Sequence, residues 1–264
     1  MISKDELKRL AGEKNINVSS LSKDYALGWI LFGISKSSVT NKLVFKGGTA
    51  LSKIYFPENW RLSEDLDFTI LDTETGLDSI VKILKNEVPA IIQRENGMIV
   101  VLKDRPHTNV GYLQSRFQYT GPLGKDIIKI EISREEVIGE FKIERVPRVF
   151  DYPEFEACVY SLKDILAEKM RSMLQRKRIR DYYDVWRLLK VRKFDKEKVT
   201  NLFLEKCKSK GIQFNDVDQF FPDDLVSTLE PYLEKGLGRL SREKLTPIQT
   251  ILNELKKSLK EFLG

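Results

Sequence analysis

Apolar positions along the chain change period several times, and each change marks an element. Leu7, Leu10 and Ala11 fall at i, i+3 and i+4, which predicts a helix over residues 3–14; a second helical pattern covers 22–37. Leu43-Val44-Phe45 is a short continuous apolar run and reads as a buried strand that stops at Gly47-Gly48. Thr49 to Tyr55 reads as a short helix closed before Pro57, and Asp65 to Leu71 as a second strand. A helix is expected from Leu77 to Arg94. Strands are expected over Met98–Lys103, Val110–Tyr119 and Ile127–Ser133, with Pro122 and Gly124 turning the chain between the last two. From Leu162 onward the pattern is helical, interrupted by Gly211, Pro222, Pro231, Gly236, Gly238 and Pro247.

Strands concentrated between residues 43 and 150, with helices before and after, predict an α+β fold rather than a βαβ repeat. The expected architecture is a mixed-sheet core with an N-terminal helical segment over residues 1–152 and a helical domain over 153–264. The linker falls near Pro147 to Pro153. At 264 residues, 41% hydrophobic and 32% charged, the chain has the balance of a soluble globular protein. No apolar run approaches the ~20 residues that span a bilayer, and Met1 to Glu6 lacks the apolar core of a signal peptide. Cys158 and Cys207 are too few for a disulfide framework, so a reduced, cytoplasmic protein with no membrane partner is expected. The single histidine, His107, excludes a His-based zinc cluster and is read as a solvated loop residue.

Charge narrows the field of partners. The formal net charge is +6, and Lys169, Arg171, Arg176, Lys177, Arg178 and Arg180 are packed into one short segment. That density suits phosphate contacts and suits a solvated helix face equally.

Gly47-Gly48 at a strand-to-helix turn lets the backbone approach a ligand, and helix N-terminal N–H groups with the Thr49 hydroxyl can hold a triphosphate. An ordinary tight turn is the plainer alternative. On a strand, Asp65 and Asp67 face one side while Leu66 and Phe68 face the core. Paired carboxylates of this kind suit Mg²⁺, and without a cation two like charges are costly. In Ile127–Ser133 the isoleucines Ile128, Ile130 and Ile132 share one face, and Lys129 and Glu131 share the other. Glu131 is thus either a third metal ligand or a solvated surface residue. Leu162, Ile165, Leu166, Met170 and Met173 form an apolar helical stripe with Lys169 in its middle and Arg176 nearly in line. A lysine there calls for an anionic partner, such as a nucleotide phosphate, unless it snorkels to water. Asp181 and Asp184 read as an N-cap and first-turn pair, a role not separable from catalysis by sequence.

Lys46-Gly47-Gly48-Thr49-Ala50-Leu51-Ser52-Lys53 together with Arg61-Leu62-Ser63-Glu64-Asp65-Leu66-Asp67-Phe68 resembles the AbiEii-type nucleotidyltransferase toxins of the DNA polymerase β-like superfamily. Lys169 and Arg176 fit that family's K-x₆-R motif, and Asp181 with Asp184 its D-x-x-D. The likeness runs over residues 43 to 190, and its departure is the sixteen residues between Gly48 and Asp65, long for the wider superfamily. The resemblance implies a nucleotidyltransferase sheet core with helical additions, and transfer of a nucleotide from an NTP with release of pyrophosphate. It also implies Mg²⁺ or Mn²⁺ as cofactor, an RNA acceptor (the 3′ end of tRNA for some relatives) and a cognate antitoxin. On that pattern Asp65, Asp67, Lys169 and Asp184 are catalytic and Asp65 and Asp67 hold metal, with Glu131 the candidate third ligand from strand alternation. Lys46, Gly47, Gly48, Thr49, Ser63, Lys169 and Arg176 hold the nucleotide, while Arg176, Lys177, Arg178 and Arg180 meet RNA. Asp67, Glu131 or Asp184 accepts the proton of the acceptor hydroxyl. Two other classes stay open: a nucleic-acid-binding module with an inactive pocket, and a metal-dependent nuclease, which leaves the glycine turn unexplained.

Overall fold

A computed structural model describes residues 1–71, 74–103, 106–109, 111–134 and 137–263. The chain divides into two compact units, Met1–Tyr160 and Ser161–Gly264. Among the described residues no helix is long and apolar enough to cross a membrane.

The first unit opens with α1 (Lys4–Glu13) and α2 (Val18–Ser35). The Asn17 side chain accepts from the backbone N–H groups of Ser19 and Ser20, so α2 begins well before the expected residue 22. There follow β1 (Leu43–Lys46), α3 (Gly47–Ala50), β2 (Asp65–Ile70), α4 (Leu77–Asn96) and β3 (Ile99–Leu102). Next come β4 (His107–Asn109), β5 (Tyr112–Gly121), β6 (Gly124–Ser133), β7 (Phe141–Val146) and β8 (Phe155–Tyr160). His107 therefore opens a short edge strand instead of lying in a loop. Of the expected strand from Val110, the described part starts at Tyr112, and Val110 itself lies outside the described residues.

The strands form one mixed sheet in the order β3-β5-β6-β2-β1-β8-β7, with β4 beside β5. β1 runs antiparallel to β2, whereas β2–β6 and β1–β8 are parallel. Phe155–Tyr160, which the sequence reading gives to the helical half, is thus a sheet strand, and the division between units falls after it. Phe45, Leu66, Ile128, Ile130 and Ile132 are fully buried on one sheet face. α2 packs against that sheet and against α1 and α4, which explains why almost its whole circumference is apolar.

One connection in this unit positions chemistry. After α3 the chain winds into a π turn, Leu51–Tyr55, closed by the Phe56 N–H donating to the Leu51 carbonyl at 2.8 Å. π turns occur mostly as single turns, frequently at functional sites. Lys53 anchors it. Its Nζ lies 2.8 Å from Asp24 Oδ1 on α2 and donates to the Asp24 carbonyl at 2.7 Å, with both side chains almost fully buried. Tyr55, the last residue of the turn, donates its hydroxyl to the Tyr160 carbonyl at 2.6 Å.

The second unit is helical: α5 (Leu162–Arg176), α6 (Ile179–Val191), α7 (Lys196–Ser209), α8 (Leu225–Leu237) and α9 (Ile248–Leu263). α5 packs on α6 and α7, and α6 on α8 and α9. Phe203, Phe214 and Phe220 cluster with ring centroids 4.9 to 6.0 Å apart.

Asp24→Ala leaves the buried Lys53 ammonium without its carboxylate. The expected result in urea unfolding is a loss of about 3–5 kcal/mol, the range for breaking a buried pair from one side. An unchanged midpoint would show that the π turn is held without this pair.

Candidate active site

Register assembles the site in the first unit. Lys46 lies opposite Asp67 across β1–β2, Asp67 opposite Glu131 across β2–β6, and Glu131 opposite Gln114 across β5–β6. Paired residues share a face, so these four make one polar row over four strands. Asp65 and Lys129 pair in the adjacent row. The buried isoleucines and phenylalanines of the same strands occupy the opposite face, which fixes the register, because a one-residue slip would exchange the two faces.

The glycine turn is fitted to this row. Gly47 has φ +75°, and a Cβ there would collide with the Asp67 carboxylate. Only glycine allows both the left-handed backbone and the close approach. A Cβ on Gly48 would lie 3.0 Å from the guanidinium of buried Arg61 and 3.3 Å from Ser63 Oγ. The Thr49 hydroxyl donates to the Asp65 carbonyl, so it braces the turn against the aspartate strand.

Like charge is crowded here. Burial, with Glu131 and then Asp65 adding their fields, pushes the Asp67 carboxyl up to about 7, against the opposing pull of Lys46 and Lys129. Lys129 Nζ lies 3.1 Å from Glu131 Oε2 and 3.6 Å from Asp65 Oδ2. The Tyr112 hydroxyl donates to Glu131 Oε1 at 2.5 Å; burial and this bond hold the phenol well above its ordinary value.

Asp65 and Asp67 fit a hard divalent cation: two oxygen donors on one sheet face, with the Glu131 carboxylate paired opposite Asp67. Such a centre leaves remaining positions to water and substrate phosphates. Among the described residues no group of three or more His, Cys, Asp or Glu side chains is arranged to hold a metal ion, and Glu131 is engaged by Lys129 and Tyr112.

In the second unit the sequence-selected residues form their own cluster. Lys169 Nζ lies 2.7 Å from Asp184 Oδ2 and 3.3 Å from Asp181 Oδ1. Arg176 reaches both oxygens of Asp181, through Nε at 3.0 Å and a terminal nitrogen at 3.3 Å. The anionic partner that the apolar stripe demands of Lys169 is therefore supplied by α6. Asp181 is not an N-cap: α6 starts at Ile179 with Arg178 at the cap position, and Asp181 lies in the first turn facing those cations. Of the basic segment, Arg176, Lys177 and Arg178 are exposed, whereas Arg180 donates to the Gly236 carbonyl at 3.1 Å. Sequence reasoning gave no role to Lys129, Tyr112 or Arg61. Alternation already put Lys129 on the Glu131 face, but the pairing partner of that face is set by β2–β6 register.

A glycine turn leading into paired aspartates, on a mixed sheet with a helical unit following, defines a nucleotidyltransferase. The chain belongs to the family described as nucleotidyl transferase AbiEii toxin, type IV toxin–antitoxin system, whose sequence model matches residues 29–254. Its fold is similar to that of MenT4, a nucleotidyltransferase toxin from Mycobacterium tuberculosis H37Rv. The TM-score is 0.75 at 20% identity over 100% of this chain and 90% of that one. It is also similar to JHP933 from Helicobacter pylori, with a TM-score of 0.60 at 19% identity over 94% of this chain and 93% of that one. No protein of curated function matches the chain in sequence.

Two outcomes are expected. The Asp67 carboxyl, at about 7 in the fold, lies above its unfolded value of ~3.9, so the folded state holds the proton more tightly. Stability present at low pH is therefore lost as pH rises through about 7. In EDTA, Asp67→Asn should melt a few °C above wild type at pH 8, with the gap shrinking toward pH 5; equal melting at pH 8 would remove the crowding account. Separately, Lys169→Met should cost about 3–5 kcal/mol by leaving Asp184 and Asp181 without their ammonium. Lys169→Met/Asp184→Leu should recover most of it in a double-mutant cycle, and strict additivity would deny the coupling.

Proposed function

We propose that this toxin nucleotidyltransferase moves a nucleoside monophosphate from an NTP to RNA, with the 3′ end of tRNA as the acceptor, using Mg²⁺ or Mn²⁺. In this reaction the acceptor hydroxyl oxygen bonds to the α-phosphorus, the α–β bridging bond breaks, and pyrophosphate leaves. A cation bound by Asp65 and Asp67 would supply Lewis-acid polarisation of the α-phosphate and offset charge on the leaving group. The glycine turn and Ser63 border the nucleotide, with Lys46 contributing positive charge on the same sheet face. Lys169, Arg176 and Asp184 are proposed contributors to catalysis. Of the three carboxylates open as proton acceptor, Asp184 is fully buried against Lys169, which favours Asp67 or Glu131.

The observation that carries the acceptor assignment is the segregation of charge. Residues 161–264 hold 23 basic and 16 acidic residues, a net +7, while residues 1–160 hold 22 and 23, a net −1. The excess that a polyanion would meet thus belongs to the helical unit, with exposed Arg176, Lys177 and Arg178 among it. A cognate antitoxin and a cytoplasmic location complete the proposal, on the strength of the family.

The test is transfer from each α-³²P NTP with Mg²⁺ and total tRNA, beside an Asp65→Ala/Asp67→Ala control. The expected result is label on tRNA from one or two nucleotides and none in the control. Label on protein instead of RNA would overturn the acceptor, and label surviving in the control would overturn the metal pair.

A further inference from the structure

We propose that Lys129 is a built-in rival of the divalent cation. Its ammonium occupies Asp65, one of the two aspartates that would bind the cation, and neutralises Glu131 beside them, so metal alone binds weakly and metal accompanied by a triphosphate binds well. The proposal rests on the metal reading of Asp65 and Asp67.

Three observations support it. First, the ammonium stands between two carboxylates, 3.1 Å from Glu131 Oε2 and 3.6 Å from Asp65 Oδ2. Tyr112 donates to the other oxygen of Glu131, so the oxygen that Lys129 and an incoming cation contest is Asp65 Oδ2. Second, the sheet keeps Lys129 on the carboxylate face. Ile128 and Ile130 on either side are fully buried on the opposite face, and the parallel register seats Lys129 directly opposite Asp65. Third, the side chain is only 31% exposed, so water screens it less than a surface lysine.

The balance of charge explains the consequence. On this face Asp65, Asp67 and Glu131 are offset by Lys46 and Lys129, so a bare divalent ion meets carboxylates that are already partly compensated. Its arrival would leave an unneeded ammonium beside it, and two cations in contact repel. A triphosphate brings several negative charges with the ion and gives Lys129 a new partner. Lys129 thereby couples cation loading to nucleotide loading.

The experiment is a Mn²⁺ titration followed by electron paramagnetic resonance on EDTA-stripped protein without nucleotide. Wild type, Lys129→Met, Lys129→Arg and Asp65→Ala/Asp67→Ala are compared. Lys129→Met should bind Mn²⁺ about tenfold more tightly than wild type, the least expected for removing one charge within ~4–6 Å. Lys129→Arg keeps the charge and should stay near wild type, while the double aspartate variant should lose binding. In EDTA, Lys129→Met should melt below wild type and gain more on Mn²⁺ addition. Lys129→Arg guards against a variant that fails to fold. Equal or weaker Mn²⁺ binding by Lys129→Met, with binding lost in the aspartate variant, would overturn this inference and leave the metal reading standing. No binding by any of the four would overturn both.

Discussion

The parallel pairing of β2 with β6, beside the antiparallel pairing of β1 with β2, is the constraint on which the site depends. It sets Asp67 against Glu131 and Asp65 against Lys129, and the antiparallel pair sets Lys46 against Asp67. The same alignment buries Phe45, Leu66, Ile130 and Ile132 on the other face. Because strand side chains alternate strictly, the apolar face has only one way to be covered, and the charged face follows from it. The hydrophobic energy of burying that face is what holds like charges near one another, against their repulsion. The site is thus a by-product of core register, kept in place by residues that never touch a substrate.

Both units meet the same difficulty with the same device. A carboxylate held away from water needs a cation close by, or its ordinary acidity is lost. In the sheet unit Lys46 and Lys129 fall short of full compensation, and Asp67 stays raised to about 7. In the helical unit Lys169 and Arg176 face Asp181 and Asp184 at 2.7 to 3.3 Å. The first arrangement leaves room for an added positive charge. The second has its cations drawn onto its own carboxylates, and it ties α5 to α6.

Much of this was legible in the sequence where period and burial coincide. Leu43–Phe45, Asp65–Leu71 and Ile127–Ser133 alternate or run apolar strongly enough to name three central strands, and Asp65, Asp67 and Glu131 were placed on the polar side by alternation alone. One side of the sheet, β8 and β7, was not legible, whereas β3 at the other edge was expected. β7 carries Lys142, Glu144 and Arg145 and leaves Ile143 68% exposed, so it has no buried stripe to betray it. β8 follows Pro147 and Pro153, which read as a linker. Partner choice was hidden for another reason. That Lys169 meets Asp184, or Lys129 meets Asp65, depends on how separate elements pack, and neither period nor composition carries that information. A buried lysine signals that an anion is near without saying whether the protein or a ligand provides it.

The collision between a Cβ at position 47 and the Asp67 carboxylate has a consequence for how such a sequence can change over time. Twenty positions apart in the chain, the two residues occupy one volume, so neither is free to vary while the other stays. A lineage that keeps the aspartate is confined to glycine at the turn. A lineage that loses the carboxylate is released from that confinement, apart from the ~1 kcal/mol that a left-handed backbone costs an ordinary residue. Drift at the turn would then be the mark of a copy that has already given up its chemistry.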